Sequence, residues 1–111
     1  MGETDGPVLI YVTFPDFEKA RDIARALVEA RVAACVNVLG PMTSVYRWEG
    51  RIAEDGEVAA LVKTRATLAT AVTEFVRERH PYQNPAIVVL PVAGGSAPFL
   101  AWIGEETAAG A

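Results

Sequence analysis

The single histidine of the chain, His80, directly precedes Pro81 at the end of a predicted helix. A helix C-terminus favours the charged form of an imidazole through the helix dipole, and an imidazole is also a common metal ligand. One interpretation therefore places His80 in a cleft between subunits, where it contacts a ligand or a metal. The other interpretation, which we favour, is a helix-ending histidine that hydrogen-bonds a backbone carbonyl. His80 is nevertheless the one candidate metal ligand that the sequence offers.

The single cysteine, Cys35, lies between Ala34 and Val36 in an apolar stretch. One cysteine excludes an intrachain disulfide and a zinc site built from clustered cysteines, and it is compatible with a reducing compartment. A nucleophilic or metal-binding thiolate needs an electropositive environment, which the neighbouring residues do not provide. We therefore predict that Cys35 is a small buried hydrophobic residue.

Several polar and aromatic side chains are expected near a cleft between subunits. The polar residues expected to converge there are Asn37, Arg47, Glu49, Lys63 and Gln83. Tyr82 fits the cleft and ordinary packing equally well. The aromatic residues Tyr46, Trp48 and Trp102 are predicted to lie in a subunit interface, where aromatic side chains are enriched.

Glu49 and Glu57 are the acidic residues nearest these aromatic side chains. Two carboxylates could form a general acid–base pair, but the sequence does not fix their separation, and a solvated charged edge is the simpler interpretation. The chain has no phosphate-binding loop, dinucleotide fingerprint, zinc-protease motif or nucleophile elbow. The residues alone therefore indicate no catalytic site.

The composition is that of a single globular domain spanning residues 1–111, with loose tails expected at 1–6 and 108–111. Hydrophobic residues make up 51% of the chain, enough for one modest core that oligomerisation would help to stabilise. A net charge of −4 argues against a protein that binds nucleic acid or an anionic membrane by charge neutralisation. The N-terminus is acidic where a signal peptide is basic, and we expect a cytoplasmic protein.

A long β-hairpin is predicted in the middle of the chain. Side chains alternate over residues 43–48, so that Ser44, Tyr46 and Trp48 share one face, as in a half-buried strand. A turn follows at residues 49–51, and the second strand runs over 52–64. Gly40-Pro41 is expected to kink the first strand, and Asp55-Gly56 to form a bulge or widened turn. Such an exposed hairpin favours pairing with other copies of the chain, so we interpret it as an arm.

The remaining elements surround this arm. Residues 8–13 form an apolar, central strand, and Asp16 is the predicted N-cap of a helix that ends near residue 30. Residues 64–67 supply caps for a second helix that ends at His80, a strand follows at 86–90 with Pro91 at its edge, and a short helix spans 97–107. The order predicts an α+β, ferredoxin-like βαββαβ sandwich with a C-terminal helix. Two helices would cover one face of the sheet, and only further protein could cover the other apolar face.

Several short strings occur along the chain in a specific order: residues 12–16 (VTFPD), 33–37 (AACVN), 44–50 (SVYRWEG), 63–64 (KT), 80–82 (HPY), 85–87 (PAI) and 100–102 (LAW). Together they resemble the CutA family of divalent-cation-tolerance proteins. The resemblance covers roughly residues 9–107. It implies a ferredoxin-like fold, a very stable homotrimer, a cytoplasmic location in bacteria, a link to copper and other divalent metals, and no established catalytic reaction. The trimer is similar to that of PII signalling proteins, whose ligands lie in clefts between subunits.

Copper binding described in the family involves a cysteine just before the Thr-x-Pro-Asp string and two adjacent histidines before Pro-Tyr. The corresponding positions here hold Val12, Arg79 and His80, so only the last histidine matches. Cu(I) prefers thiolate or thioether ligands and Cu(II) several nitrogen or oxygen donors. The resemblance therefore implies at most weak copper binding through His80.

Three functions follow from these observations. The first is a non-enzymatic homotrimer that binds a divalent metal weakly and takes part in metal tolerance. The second is a PII-like sensor or adaptor with a small ligand in its intersubunit clefts, contacted by Lys63, His80 and Tyr82. The third, an acylphosphatase-like enzyme, is disfavoured because Pro15 removes a backbone donor from the loop that would bind phosphate.

Overall fold

The strands and helices follow the predicted order. The computed structural model describes residues 5–108. Its regular elements are β1 (Pro7–Phe14), α1 (Phe17–Glu29), β2 (Cys35–Trp48), β3 (Arg51–Arg65), a 3-10 turn (Ala66–Leu68), α2 (Ala69–Arg79), β4 (Ile87–Pro91) and α3 (Ala97–Ala108). The strands form one antiparallel sheet in the order β2-β3-β1-β4. The α+β, ferredoxin-like prediction is confirmed, including the central position of β1 and the edge position of Pro91.

One face of the sheet packs against α1 and α2. The buried residues on this side are Val8, Ile10, Val12 and Phe14 of β1, Val58, Ala60 and Val62 of β3, Ala20, Ile23 and Leu27 of α1, and Val72 and Val76 of α2. The N-cap of α1 is Asp16, whose Oδ1 accepts the backbone N–H of Lys19 at 2.8 Å, as predicted. Val28 and Ala71, which helical spacing assigned to the apolar faces, are exposed.

The prediction that Thr64 and Thr67 cap α2 is wrong, because α2 begins without a side-chain cap. Thr64 is buried, and its hydroxyl donates to the backbone carbonyl of Val32 at 2.7 Å. Thr67 belongs to the preceding 3-10 turn. Its N–H and hydroxyl donate to the Asp5 carboxylate at 3.0 and 2.6 Å, and Asp5 also pairs with Arg65.

These contacts correct the predicted tail of residues 1–6. Asp5 is held by Thr67 and Arg65, and the carbonyl of Gly6 accepts the N–H of Ala66 at 2.8 Å. Residues 1–4 and 109–111 of the predicted tails lie outside the described residues, and Ala108 is the last residue of α3.

Strands β2 and β3 extend beyond the helices as the predicted arm, and the described chain measures 45 × 26 × 21 Å. Glu49 and Gly50 form the two-residue turn, both with positive φ, as hairpin turns of this length require. The bulge lies at Gly40-Pro41, opposite Val58, where the register shifts between Leu39 and Met42. A bulge at Asp55-Gly56 was wrongly predicted, since pairing there is regular.

The second face of the sheet is apolar and largely open over the described residues. The strand register places Leu9 and Tyr11 beside Leu61, Val88 and Leu90. The α3 helix covers one end of this face, where Lys63 Nζ lies 5.4 Å from the centre of the Phe99 ring and Arg65 Nε donates to Thr107 at 3.0 Å. The expectation that only further protein covers this face is therefore wrong at that end. No helix within residues 5–108 is both long and apolar enough to cross a lipid bilayer.

Candidate functional site

A cavity of about 510 Å³ lies between the arm and the loop that joins α2 to β4. Its lining residues are Thr13, Ser44, Tyr46, Trp48, Glu57, Tyr82, Asn84 and Ala86. The arm contributes Ser44, Tyr46 and Trp48 because alternate residues of a strand share a face, as the sequence predicted. A volume of this size is typical of a small-molecule site.

The carboxylate of Glu57 connects the two sides of the cavity. Its Oε1 accepts a hydrogen bond from the hydroxyl of Ser44 at 2.6 Å, and its Oε2 accepts one from the hydroxyl of Tyr82 at 2.9 Å. A third hydroxyl, that of Tyr46, donates to the carboxylate of Asp55 on the facing strand. The hydrogen bonds of Glu57 therefore fix the loop against the arm.

Both phenols remain protonated near neutral pH. Burial, the hydrogen bond to Glu57 and the negative charge of that carboxylate raise the pKa of Tyr82 from 10.0 to about 12. The hydrogen bond to Asp55 is the main cause that raises the pKa of Tyr46. A protonated phenol donates to its carboxylate partner, so these tyrosines act as fixed donors and not as bases.

His80 lies behind the cavity and holds the loop in place. Its ring stacks on Phe14 with centroids 4.7 Å apart and lies 4.8 Å from the ring of Tyr82. Nε2 is 2.7 Å from the carbonyl oxygen of Thr13, and Nδ1 accepts the backbone N–H of Tyr82 at 3.1 Å. Since a carbonyl can only accept, Nε2 carries the proton of a neutral ring, and burial lowers the pKa of His80.

This geometry is the favoured alternative of the sequence analysis, a helix-ending histidine bonded to a backbone carbonyl. Both ring nitrogens are engaged, so a metal at His80 would have to displace the Tyr82 amide or the Thr13 carbonyl. Within residues 5–108, no group of three or more histidine, cysteine, aspartate or glutamate side chains is placed to hold a metal ion.

Comparison with known proteins decides the family. The family model described as CutA1 divalent ion tolerance protein matches residues 8–106. The chain belongs to the CutA1 family. The divalent-cation tolerance protein CutA of Thermus thermophilus is 46% identical over 99 residues, which are 89% of this chain and 96% of that protein. Protein CutA of Mus musculus is 47% identical over 97 residues, 87% of this chain but only 55% of the mouse protein.

Solved CutA1 structures share the fold. Oryza sativa CutA1 has a TM-score of 0.90 at 36% identity and covers 94% of this chain and 95% of its own. The Thermus thermophilus structure has a TM-score of 0.89 at 46% identity and covers 91% of this chain and 98% of its own. CutA1 relatives are named for different compartments, since the Arabidopsis thaliana protein is called chloroplastic and that of Archaeoglobus fulgidus periplasmic.

The residues predicted for the site fall into two groups in this CutA1 chain. Tyr82 lines the cavity, and so do Tyr46 and Trp48, for which the sequence predicts a subunit interface. The predicted residues outside the lining are Asn37, Arg47, Glu49, Lys63, Gln83 and Trp102. Of these, Lys63 contacts Phe99 and Trp102 stacks on the same ring at 5.6 Å, so both belong to the packing of α3. Cys35 is half-buried, less than predicted.

Four lining residues were missed. Ser44 had a usable signal, because it alternates with Tyr46 and Trp48 on one strand face. Thr13, Asn84 and Ala86 had none, since they reach the cavity only through the packing of β1 and of the loop before β4. Glu57 was identified in the sequence as an acid near the aromatic residues, and the structure places it at the centre of the site.

Proposed function

We propose that the chain forms a homotrimer without enzymatic activity, acts in divalent-metal tolerance in the cytoplasm, and binds copper weakly. The observation that carries the assembly is the open apolar face of the sheet. Val88 and Leu90 on this face are 49% and 41% exposed; they pair with Tyr11 and Leu9, and Leu61 lies on the other side of Tyr11. A contiguous exposed apolar patch is typical of an interaction site.

A second copy of the chain is the occupant we favour for this face. Soluble oligomers are mostly closed, symmetric assemblies of one chain, and burial of apolar surface stabilises them by about 25 cal/mol per Å². The projecting arm offers a further contact, because Val45 and Ile52 on its other face are 61% and 62% exposed. Three copies are the number that the family resemblance implies.

Sedimentation equilibrium tests the assembly. We expect three times the chain mass of 11.9 kDa for the unmodified protein and a monomer for Leu90→Lys. The matched control is Val28→Lys on α1, where the side chain is 40% exposed but lies away from the open face. A folded monomer of the unmodified chain would refute the proposal, and so would dissociation in Val28→Lys alone.

We propose Nδ1 of His80 as the ligand for weak copper binding. This nitrogen holds a lone pair and now accepts the Tyr82 N–H, so the ion must compete with a hydrogen bond, and water or a neighbouring copy must supply its other ligands. Calorimetric titration with Cu²⁺ should give heat in the unmodified protein and in Cys35→Ser but none in His80→Gln. Equal heat in all three, or no heat in any, would remove His80 as a ligand.

The alternative function is a PII-like sensor or adaptor that binds a small ligand and signals to a partner protein. The cavity beside Glu57 favours it, because it has the volume and the few convergent polar groups of a ligand site. A thermal-shift screen of metabolites separates the two functions. If divalent metals alone raise the melting temperature, the sensor function is wrong.

A further inference from the structure

We propose that the cavity between the arm and the α2–β4 loop binds a small organic ammonium ion that carries an apolar group. The ammonium group would bind at Glu57, and the apolar group would lie against Tyr46, Trp48 and Tyr82. The cellular role of such a site rests on the proposed small-ligand function. The chemistry of the ligand is inferred from the geometry of the cavity in one chain.

The first argument is the direction of the hydrogen bonds around the cavity. Ser44 and Tyr82 donate their hydroxyl protons to Glu57, and Tyr46 donates its proton to Asp55. A hydroxyl has one proton, so an oxygen that has already donated it can only accept. These three hydroxyls therefore present acceptors to a ligand, and a ligand that brings donors matches them and Glu57, whereas Thr13, Trp48 and Asn84 of the lining can themselves donate. A protonated amine brings up to three donors.

The second argument is charge. Glu57 is the charged residue among the eight lining residues, and none of them is lysine or arginine. Asp55 lies next to it, paired with Ser44 in the sheet register. A cation gains Coulomb energy from these carboxylates in a partly desolvated site, whereas an anion is repelled.

The third argument is the aromatic wall, which distinguishes an organic cation from a metal ion. Tyr46, Trp48 and Tyr82 line the same cavity, and aromatic faces attract ammonium groups and apolar groups alike. A hard divalent ion instead requires about six oxygen ligands, and only one carboxylate lines the cavity. Its volume of about 510 Å³ also far exceeds that of an ion.

Three probes that share a phenyl ring but differ in charge test this inference: benzylammonium is a cation, benzyl alcohol is neutral and benzoate is an anion. Trp48 is the reporter, in a Trp102→Phe background that leaves one tryptophan. At pH 7 we expect benzylammonium to quench Trp48 fluorescence saturably and benzyl alcohol to bind at least about tenfold more weakly. Benzoate should not bind at concentrations up to about 10 mM, a dissociation constant that corresponds to a binding free energy of about 3 kcal/mol. Equal binding of the alcohol and the amine would refute the inference.

Two isosteric variants locate the binding. Glu57→Gln removes the charge at the site and should weaken benzylammonium binding about tenfold or more, since a charge-assisted hydrogen bond is lost. Glu54→Gln makes the same change on the same strand, but Glu54 pairs with Val45 on the opposite face of the arm. The affinity of the Glu54→Gln variant for benzylammonium should therefore equal that of the unmodified protein. Equal weakening in both variants would show a general charge effect and overturn the site.

Sedimentation of the same samples separates this inference from the proposed function. If the protein sediments as a trimer and benzylammonium does not bind, the ammonium site is wrong and the trimer stands. The same result is expected if a neighbouring copy fills the cavity in the trimer, and in that case too the ammonium site is wrong. If the amine binds with the expected charge preference to a monomer, the site stands and the trimer fails.

Discussion

Replacement of His80 is the sharpest test of how the loop beside the cavity is held. His80→Ala removes the hydrogen bond to the Thr13 carbonyl, the acceptor of the Tyr82 amide and the stacked contact with Phe14. Each hydrogen bond contributes about 1 kcal/mol, and an aromatic pair of this kind about 1 kcal/mol. We therefore expect the free energy of unfolding to fall by about 3 kcal/mol.

His80→Gln is the graded variant, because its side-chain amide reaches the position of Nε2 and can still donate to Thr13. It should lose about 2 kcal/mol, since the acceptor for Tyr82 and the stacked ring are gone. Urea denaturation measures both variants with a chelator present and at one protein concentration, because the proposed assembly would make stability depend on concentration. Arg21→Ala, an exposed change on α1, should stay within about 0.5 kcal/mol of the unmodified protein.

The pH dependence gives an independent check of the same reasoning. Burial lowers the pKa of His80 in the folded chain, so below about pH 6.5 the unfolded state binds a proton that the folded state does not. The contribution is therefore complete above that pH and falls as the pH drops toward the folded pKa. His80→Gln should lack this slope. An alanine variant as stable as the unmodified protein, or an unchanged slope in His80→Gln, would refute a structural role for the imidazole.

Three further predictions concern other parts of the fold. Gly40→Ala should lower the free energy of unfolding by about 1–3 kcal/mol in urea denaturation, because Gly40 has a φ of +139° and a Cβ there would lie 3.1 Å from Val58. The control Gly56→Ala, where a Cβ would meet no atom within 4 Å, should be nearly neutral. Equal losses in the two variants would refute the clash at Gly40. Since the pKa of Tyr82 is raised from 10.0 to about 12, the contribution of Tyr82 to stability is complete below pH 10 and is lost as the pH rises toward 12. Ultraviolet titration should show a late-ionising tyrosine that is absent from Tyr82→Phe. Persistence of that transition in Tyr82→Phe would contradict the assignment. Hydrogen bonds from Thr67 lower the pKa of Asp5, so the contribution of Asp5 to stability is complete above about pH 4 and falls in more acidic solution. In acid denaturation, Asp5→Asn should lack the loss of stability that the unmodified protein shows below about pH 4. Identical acid-denaturation curves for the two proteins would show that Asp5 does not contribute.

The sequence predicted the fold because its local signals agree with each other. The apolar run of β1 requires a strand with neighbours on both sides, Asp16 and the spacing of Ile23 and Leu27 define α1, and Glu49-Gly50 closes the hairpin. The errors arose where a contact distant in sequence decides the outcome. Asp5 binds Thr67 across 62 residues, and no local pattern reports such a contact.

The site was harder to predict than the fold for the same reason. Tyr46 and Trp48 were correctly placed on one strand face, but what faces them depends on how the loop carrying Tyr82 packs. His80 illustrates the limit of residue type as a guide, because a lone imidazole can equally be a ligand or a structural hydrogen-bonding group. Its two hydrogen-bonded nitrogens and its stacking on Phe14 depend on tertiary contacts that only the folded structure shows.

The cavity and the apolar face proposed for assembly adjoin on one sheet, so ligand binding and assembly need separate tests. The hydrogen bonds of Ser44 and Tyr82 to Glu57 join the arm to the α2–β4 loop. The open face adjoins this cavity, because the lining residues Thr13 and Glu57 alternate along their strands on one face with Tyr11 and Leu61. If the cavity is complete within one chain, a folded Leu90→Lys monomer should bind benzylammonium as tightly as the unmodified protein does. A loss of affinity in that monomer would show that a neighbouring copy completes the site, and ligand binding and assembly would then have to stabilise each other by equal free energies.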